Sequence, residues 1–246
     1  MYHATTTFAT TKRILQQLSH DHRTIALMLI APCLLIGLLW WVFSDNEAVF
    51  DRVAPAMLGV FPFIVMFLVT SITTLRERVS GTLERLMAMP IGKFDVIFGY
   101  GLAFSVFGIV QSLLTSSVAI FILGMDVAGP QWFVVLVALL DTLLGVAIGL
   151  LVSAFARTEF QAVQFMPAFI LPQILVCGLL VPLSQLPESL ETIAYYLPLT
   201  YAVDALNRVA IESTLSLEAW RDIWMVAGFV ITALVFGALT LRRRTA

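Results

Sequence analysis

Charge is scarce in this 246-residue sequence: Asp, Glu, Lys and Arg make up 12% of it, while 60% is hydrophobic. A soluble domain carries about 25% charged and 45–50% apolar residues, so an ordinary water-exposed surface is excluded. Cysteine is nearly absent as well. Cys33 and Cys177 lie in separate apolar blocks and read as small hydrophobes rather than a disulfide, so no oxidising compartment is implied. The first 23 residues hold Lys12, Arg13, His20, His22 and Arg23 and lack the early apolar run of a secretory signal. Leu27–Phe43 therefore reads as a permanent first span. Catalytic signatures are missing too: there is no G-x-x-x-x-G-K-[ST] phosphate loop, H-E-x-x-H, G-x-S-x-G or C-x-x-C. His20 and His22 stand two apart and do not share a helix face, so no metal site is expected. No fixed-period or inverted repeat is visible. A net charge of −2 gives no basis for a nucleic-acid partner.

What the sequence does have is long apolar blocks. Six reach span length, at 25–43, 56–75, 96–124, 132–154, 162–183 and 223–241; five contain no Asp, Glu, Lys or Arg, and the fourth contains only Asp141. At 1.5 Å rise per residue each can cross a hydrocarbon core of about 30 Å. A barrel would need shorter alternating segments, so the expected fold is all-α, a polytopic membrane protein in one domain over 1–246. Lys and Arg set the orientation. With both termini in the cytoplasm, the inner side collects Lys12, Arg13, Arg23, Arg76, Arg78, Arg85, Lys93, Arg157 and Arg242 to Arg244, leaving Arg52, Arg208 and Arg221 outside. Thr11–Arg23 reads as an interfacial helix with Ile14, Leu15 and Leu18 on its apolar face and Lys12, Arg13 and Arg23 near lipid headgroups.

The most informative stretch is the inner connection 76–95. Gly81 can break the helix leaving the second span, Thr82 can cap a new one, and Pro90 with Gly92 turns the chain back. Leu83, Leu86 and Met87 then share one face of a short amphipathic helix suited to docking on a partner; the plainer reading is a solvated charged loop that fixes topology. Arg76-Glu-Arg-Val-Ser-Gly-Thr-Leu-Glu-Arg-Leu, followed by Pro90 and Lys93, resembles the cytoplasmic signature of type-2 ABC transporter permeases. His20-Asp-His-Arg-Thr-Ile-Ala-Leu with Pro32 resembles the approach to the first span in the drug-exporter branch, and Leu197-Pro-Leu-Thr-Tyr-Ala-Val-Asp-Ala-Leu the segment before that family's last span. Val79 and His22 stand where more polar or basic residues are common.

The resemblance implies a permease dimer, with a second copy or a related chain. Two separate nucleotide-binding subunits would carry ATP and Mg, this chain binding no cofactor itself and being no enzyme. It implies a coupling helix involving Glu77, Arg78, Gly81, Thr82, Glu84, Arg85 and Pro90, and export of a hydrophobic or amphipathic compound, a drug or antibiotic first, across a prokaryotic inner membrane. In the segment 184–222 it implies two short re-entrant helices forming an external lid. Asp141 is costly at a span centre, about 2.5–3.5 kcal/mol, and either contacts substrate or holds helices together; it also supports the alternative of a proton-coupled carrier. Pro167 and Pro172 can make a cavity wall, a hinge or simple kinks. Tyr195, Tyr196 and Tyr201 complete the expected translocation path, with plain interfacial anchoring as the other reading.

Overall fold

The computed structural model describes residues 2–88 and 91–240. Ten α-helices lie among them, with no strand: α1 Tyr2–His20, α2 His22–Val42, α3 Glu47–Val79, α4 Thr82–Ala88, α5 Lys93–Ser117, α6 Gln131–Ser153, α7 Glu159–Val176, α8 Glu188–Ala194, α9 Pro198–Ile211 and α10 Leu217–Thr240. Six of them (α2, α3, α5, α6, α7 and α10) are long and apolar enough to cross a membrane, and the protein is an all-α, multi-pass membrane protein. Met89, Pro90 and residues 241–246, with the arginine cluster among them, lie outside the described residues.

Several boundaries depart from the hydropathy reading, each for a local reason. The amphipathic helix covers 2–20 instead of 11–23, because Asp21 ends it and caps α2: Asp21 Oδ1 accepts from Thr24 N at 3.1 Å and Oδ2 from Thr24 Oγ1 at 2.6 Å. Thr24's two donors hold the Asp21 carboxyl below its ordinary range. The second span is a 33-residue helix, about 50 Å long. Hydropathy sees only its apolar middle, so Glu77 and Arg78 are helical residues rather than loop residues. The fifth span stops at Val176 rather than continuing to Leu183, because Gly178 takes a positive φ of 89°, where a side chain is strained. At the C-terminal end of α5 the coil widens into a π-helical turn, Val118–Ile122.

The centre of the bundle is the pair α3 and α6, which run parallel and unusually close. The contact ladder advances one turn at a time: Gly59 faces Asp141, Gly145 lies on the Phe63 carbonyl and Gly149 on that of Phe67. A Cβ on Gly149 would stand 2.7 Å from the Phe67 oxygen, and one on Gly145 would run into the Phe63 backbone. The Gly145–Gly149 spacing therefore joins helices within this chain. Around the pair, α9 is sunk among α3, α6 and α10, with Leu199, Ala202, Val203, Ala205 and Leu206 fully buried. Its 14 residues span about 21 Å, too short to cross. Its C-terminal carbonyls are fixed by Ala128 N to Ala210 O at 3.3 Å and Gly129 N to Val209 O at 2.9 Å.

Candidate functional site

The last turn of α3 is a junction. Residues that follow one another on a helix project about 100° apart, so three in a row can reach three directions. Here Arg76, Glu77 and Arg78 do so. Arg76 makes a bidentate pair with Glu159 at the start of α7, Nε to Oε1 at 2.7 Å and Nη2 to Oε2 at 2.9 Å. Arg78 Nη1 donates to the Ser153 carbonyl at the end of α6, at 2.8 Å. Glu77 is buried, and its Oε2 accepts from Arg13 Nη2 of α1 at 2.8 Å and from the Tyr100 hydroxyl of α5. Arg13 Nη2 also donates to the Tyr100 oxygen at 2.9 Å. One turn of α3 is thereby bonded to α1, α5, α6 and α7.

The chain leaves this junction through Ser80 and Gly81, whose φ of 75° permits the sharp change of direction, and enters α4 directly. Thr82 is the first helical residue, with its hydroxyl 3.0 Å from that of Ser80. Leu83 is buried in one cluster with Ile14 and Leu18 of α1 and Val96, Ile97 and Tyr100 of α5. Arg85 is exposed; the side chain of Glu84 and all of Pro90 lie outside the description. Of the seven residues expected at the coupling segment, Glu77 and Arg78 enter the junction, and Gly81 and Thr82 lead out of it. Sequence reasoning placed Arg13 at lipid headgroups, but it is Glu77's ion-pair partner. That pairing spans 64 positions and leaves no local signal. Glu159 was missed for the same reason.

Asp141 is fully buried on α6, and neither oxygen has a hydrogen-bond partner among the described residues. Its carboxyl lies against the Gly59 backbone of α3, a position where Leu206 of α9 also packs. It is thus embedded where α3, α6 and α9 meet. The larger cavities among the described residues lie elsewhere. At the end of the bundle opposite the junction, one of about 700 Å³ is bordered by Arg52, Arg208 and Arg221 together with Glu191 and Asp204, and by Tyr195. Arg208 is shared among Asp204 at 3.0 Å, Glu212 at 3.7 Å and Glu218. Tyr201 is buried and donates to the Tyr195 carbonyl at 2.7 Å; Tyr196 is exposed.

The second cavity, about 630 Å³, opens on the side of the bundle between α7 and α10, with α6 as its floor. Six phenylalanines line it: Phe63, Phe155, Phe165, Phe169, Phe229 and Phe236. Among the described residues none that lines it is charged, and the polar side chains are Gln173 and Thr232. Pro167 and Pro172 sit within α7, one wall of this space, although neither prolyl ring lines it. Gln173 was not singled out from sequence; as one of two amides in the block 162–183, with Gln164, it has no signal that marks it alone.

With this geometry in view, the likeness to known proteins is informative. The family model described as ABC-2 type transporter matches residues 5–210. Among curated proteins, the chain is 27% identical over 193 residues to "ABC transporter G family member 20" of Dictyostelium discoideum, covering 78% of this chain and 26% of that protein. It is 24% identical over 181 residues to "Probable multidrug ABC transporter permease YbhR" of Escherichia coli (strain K12), covering 74% and 49%. To "Linearmycin resistance permease protein LnrN" of Bacillus subtilis (strain 168) it is 29% identical over 137 residues, covering 56% and 35%. The aligned part therefore spans about half or less of the length of each relative.

Proposed function

This chain belongs to the ABC-2 type transporter family, and from that premise we propose that it is the membrane-spanning permease of an ATP-driven exporter. In this reading the basic end of the bundle faces the cytoplasm of a prokaryote, and α4 docks on a separate ATP-binding subunit. Two such subunits, holding ATP and Mg, serve a dimer of permeases. The cargo is a hydrophobic or amphipathic compound. The relatives whose names refer to multidrug transport and linearmycin resistance support an antibiotic or drug first.

One observation carries the reading. The helix expected to meet the partner, α4, follows directly on a turn of α3 that is bonded to four other helices. A push on α4 is delivered to α3 through the short Ser80–Gly81 link and to α1 and α5 through Leu83. From α3 it passes along a 33-residue rod locked to α6 by backbone contact, since close-packed interiors transmit displacement rather than absorb it. ATP can bias the states of the bundle only through such differential contacts. Among the described residues neither Asp141 oxygen has a hydrogen-bond partner that would begin a proton relay, which leaves the carrier alternative without the support the coupling segment gives the exporter.

The test is co-purification of the chain with a candidate ATP-binding subunit, followed by ATP hydrolysis and transport in proteoliposomes, wild type beside Glu84→Lys. A stable complex whose cargo-stimulated hydrolysis falls about tenfold in the variant, equivalent to about 1.4 kcal/mol of coupling, is the expected result. The exporter reading fails if no complex forms and transport instead follows a proton gradient and needs Asp141.

A further inference from the structure

We propose that the lateral cavity between α7 and α10 binds a neutral lipophilic molecule drawn from the bilayer, and that Gln173 selects for a hydroxyl or carbonyl group on it. That such a molecule is the exported cargo rests on the function proposed above; that it binds does not.

The cavity's chemistry defines the class. None of the described lining side chains carries a charge, so an ionic group placed among them would lose its hydration without gaining a partner, a cost of several kcal/mol. Its volume of about 630 Å³ falls within the range of small-molecule sites. Depth and mouth are both apolar: Phe63 and Leu144 at the floor are fully buried, while Phe155, Phe169 and Phe236 at the rim are more than half exposed on the side of the spans. A ligand reaching this opening comes from hydrocarbon rather than from water. Six rings offer faces and edges to a flat or flexible apolar body.

Gln173 supplies the polar contact. Its side chain is 6% exposed on a residue basis and has used only half its capacity. Nε2 donates to the Phe169 carbonyl at 3.0 Å, and Oε1 accepts a long bond, 3.4 Å, from Leu199 N at the start of α9. One N–H and one lone pair remain on an amide that can make four bonds. The other polar side chain at the cavity, Thr232, donates to the Gly228 carbonyl of its own helix at 2.7 Å. A ligand hydroxyl or carbonyl at Gln173 therefore completes a half-used amide, which a pure hydrocarbon cannot do. The same amide holds the first turn of α9, so occupancy is felt by the helix buried beside α3 and α6.

The experiment is photolabelling of the full chain in phosphatidylcholine nanodiscs with a diazirine-bearing fatty alcohol, and in parallel with the corresponding diazirine-bearing hydrocarbon, mapped by mass spectrometry. This reads binding without ATP or partner, so its failure is separate from failure of the exporter reading. Label is expected at the cavity phenylalanines, on α7 and α10, at Phe155 just past α6 and at Phe63 of α3, displaced by excess unlabelled fatty alcohol. Phe236→Trp, which fills the mouth and leaves Gln173 untouched, should lower cavity labelling about tenfold. Gln173→Leu should lower labelling by the alcohol about fivefold, the worth of one neutral hydrogen bond, and leave the hydrocarbon unchanged. Equal labelling of remote lipid-facing residues such as Leu34 and Phe121, or cavity labelling indifferent to Phe236→Trp, overturns the site. Equal loss of both probes in Gln173→Leu overturns the selecting role. A cavity that takes no label because a second copy of the chain covers it overturns the proposal altogether.

Discussion

Helices α6 and α7 follow one another in the chain, both are apolar, and both touch the same turn of α3, yet they are held in opposite ways. Fourteen of the 23 residues of α6 are buried, and its attachment to α3 runs along its length, backbone against backbone through Gly145 and Gly149. Only Ala162, Ile170 and Gln173 of the 18 residues of α7 are buried. Its specific polar ties sit near its ends: Glu159 to Arg76 at one, Gln173 to Leu199 N at the other. Between them Pro167 and Pro172 remove two backbone donors, which weakens the helix where it has least support. One helix is part of a rod. The other is a wall with few buried residues within this chain, and it borders the apolar cavity.

The contrast breaks most readily on its rigid side. A leucine at Gly145 meets the Phe63 backbone, which cannot yield as a side chain would, so α3 and α6 must separate along their whole ladder. Overpacking of this kind costs about 3 kcal/mol, enough to remove much of a marginal stability. Gly145→Leu should fail to give a monodisperse particle on size exclusion in detergent. The control is Gly228→Ala on α10, where a Cβ meets nothing within 4 Å and helix propensity improves; its thermal midpoint should hold or rise. If both variants behave alike, close backbone packing is not what makes the pair rigid.

Next in size is the junction. Glu77→Ala leaves Arg13 and the buried Tyr100 hydroxyl without their shared acceptor. Truncating one partner of a fully buried pair costs about 3–5 kcal/mol, but Arg13 is a third exposed and water recovers part of that, so about 2 kcal/mol is expected. The loss should fall unevenly. Protease sites in α1 become accessible, while α6, attached by Arg78 and its glycines, keeps its protection. Tyr100→Phe, which retains the Arg13–Glu77 pair, should show a smaller change in the same digestion.

Which parts of this arrangement were legible in the sequence follows from the range of the forces involved. The spans are written in runs of apolar residues, a local property, and all six were readable from 25–43 to 223–241. Positive-φ Gly81 marked its own turn. The continuation of a span's helix beyond its apolar core was not readable: Glu47, Asp51 and Arg52 begin α3, and Glu77 and Arg78 end it, because charge stops a hydropathy count without stopping a helix. The burial of α9 was hidden by its mixed composition. Partners 64 and 83 positions apart, Arg13 with Glu77 and Arg76 with Glu159, depend on the packing of whole helices and have no signature in either segment. The 82-residue offset that sets Gly59 opposite Asp141, Phe63 opposite Gly145 and Phe67 opposite Gly149 appears only once α3 and α6 are placed together.

The smallest expected effect tests the sparsely buried side of the comparison. Arg76 and Glu159 are 57% and 52% exposed, so their bridge contributes about 0.2–1 kcal/mol and is weakened by salt. Global stability of Arg76→Glu should hardly change. Opening of the first turns of α7 is a local event, however, and 1 kcal/mol corresponds to about a fivefold change in its population. Hydrogen exchange of the amides from Phe160 to Phe165 should therefore quicken up to about fivefold in Arg76→Glu, with α6 unaffected. The charge-swapped pair, Arg76→Glu with Glu159→Arg, should recover only part of this protection. In the native order Arg76 lies in the last turn of α3 and Glu159 in the first turn of α7, each complementing the dipole of its own helix. The swap restores the attraction between the two side chains but sets each against its helix end. Full recovery would mean that the pair alone fixes α7, and no recovery that the bridge is incidental; partial recovery identifies a tether formed by the side chains together with the helix ends that carry them.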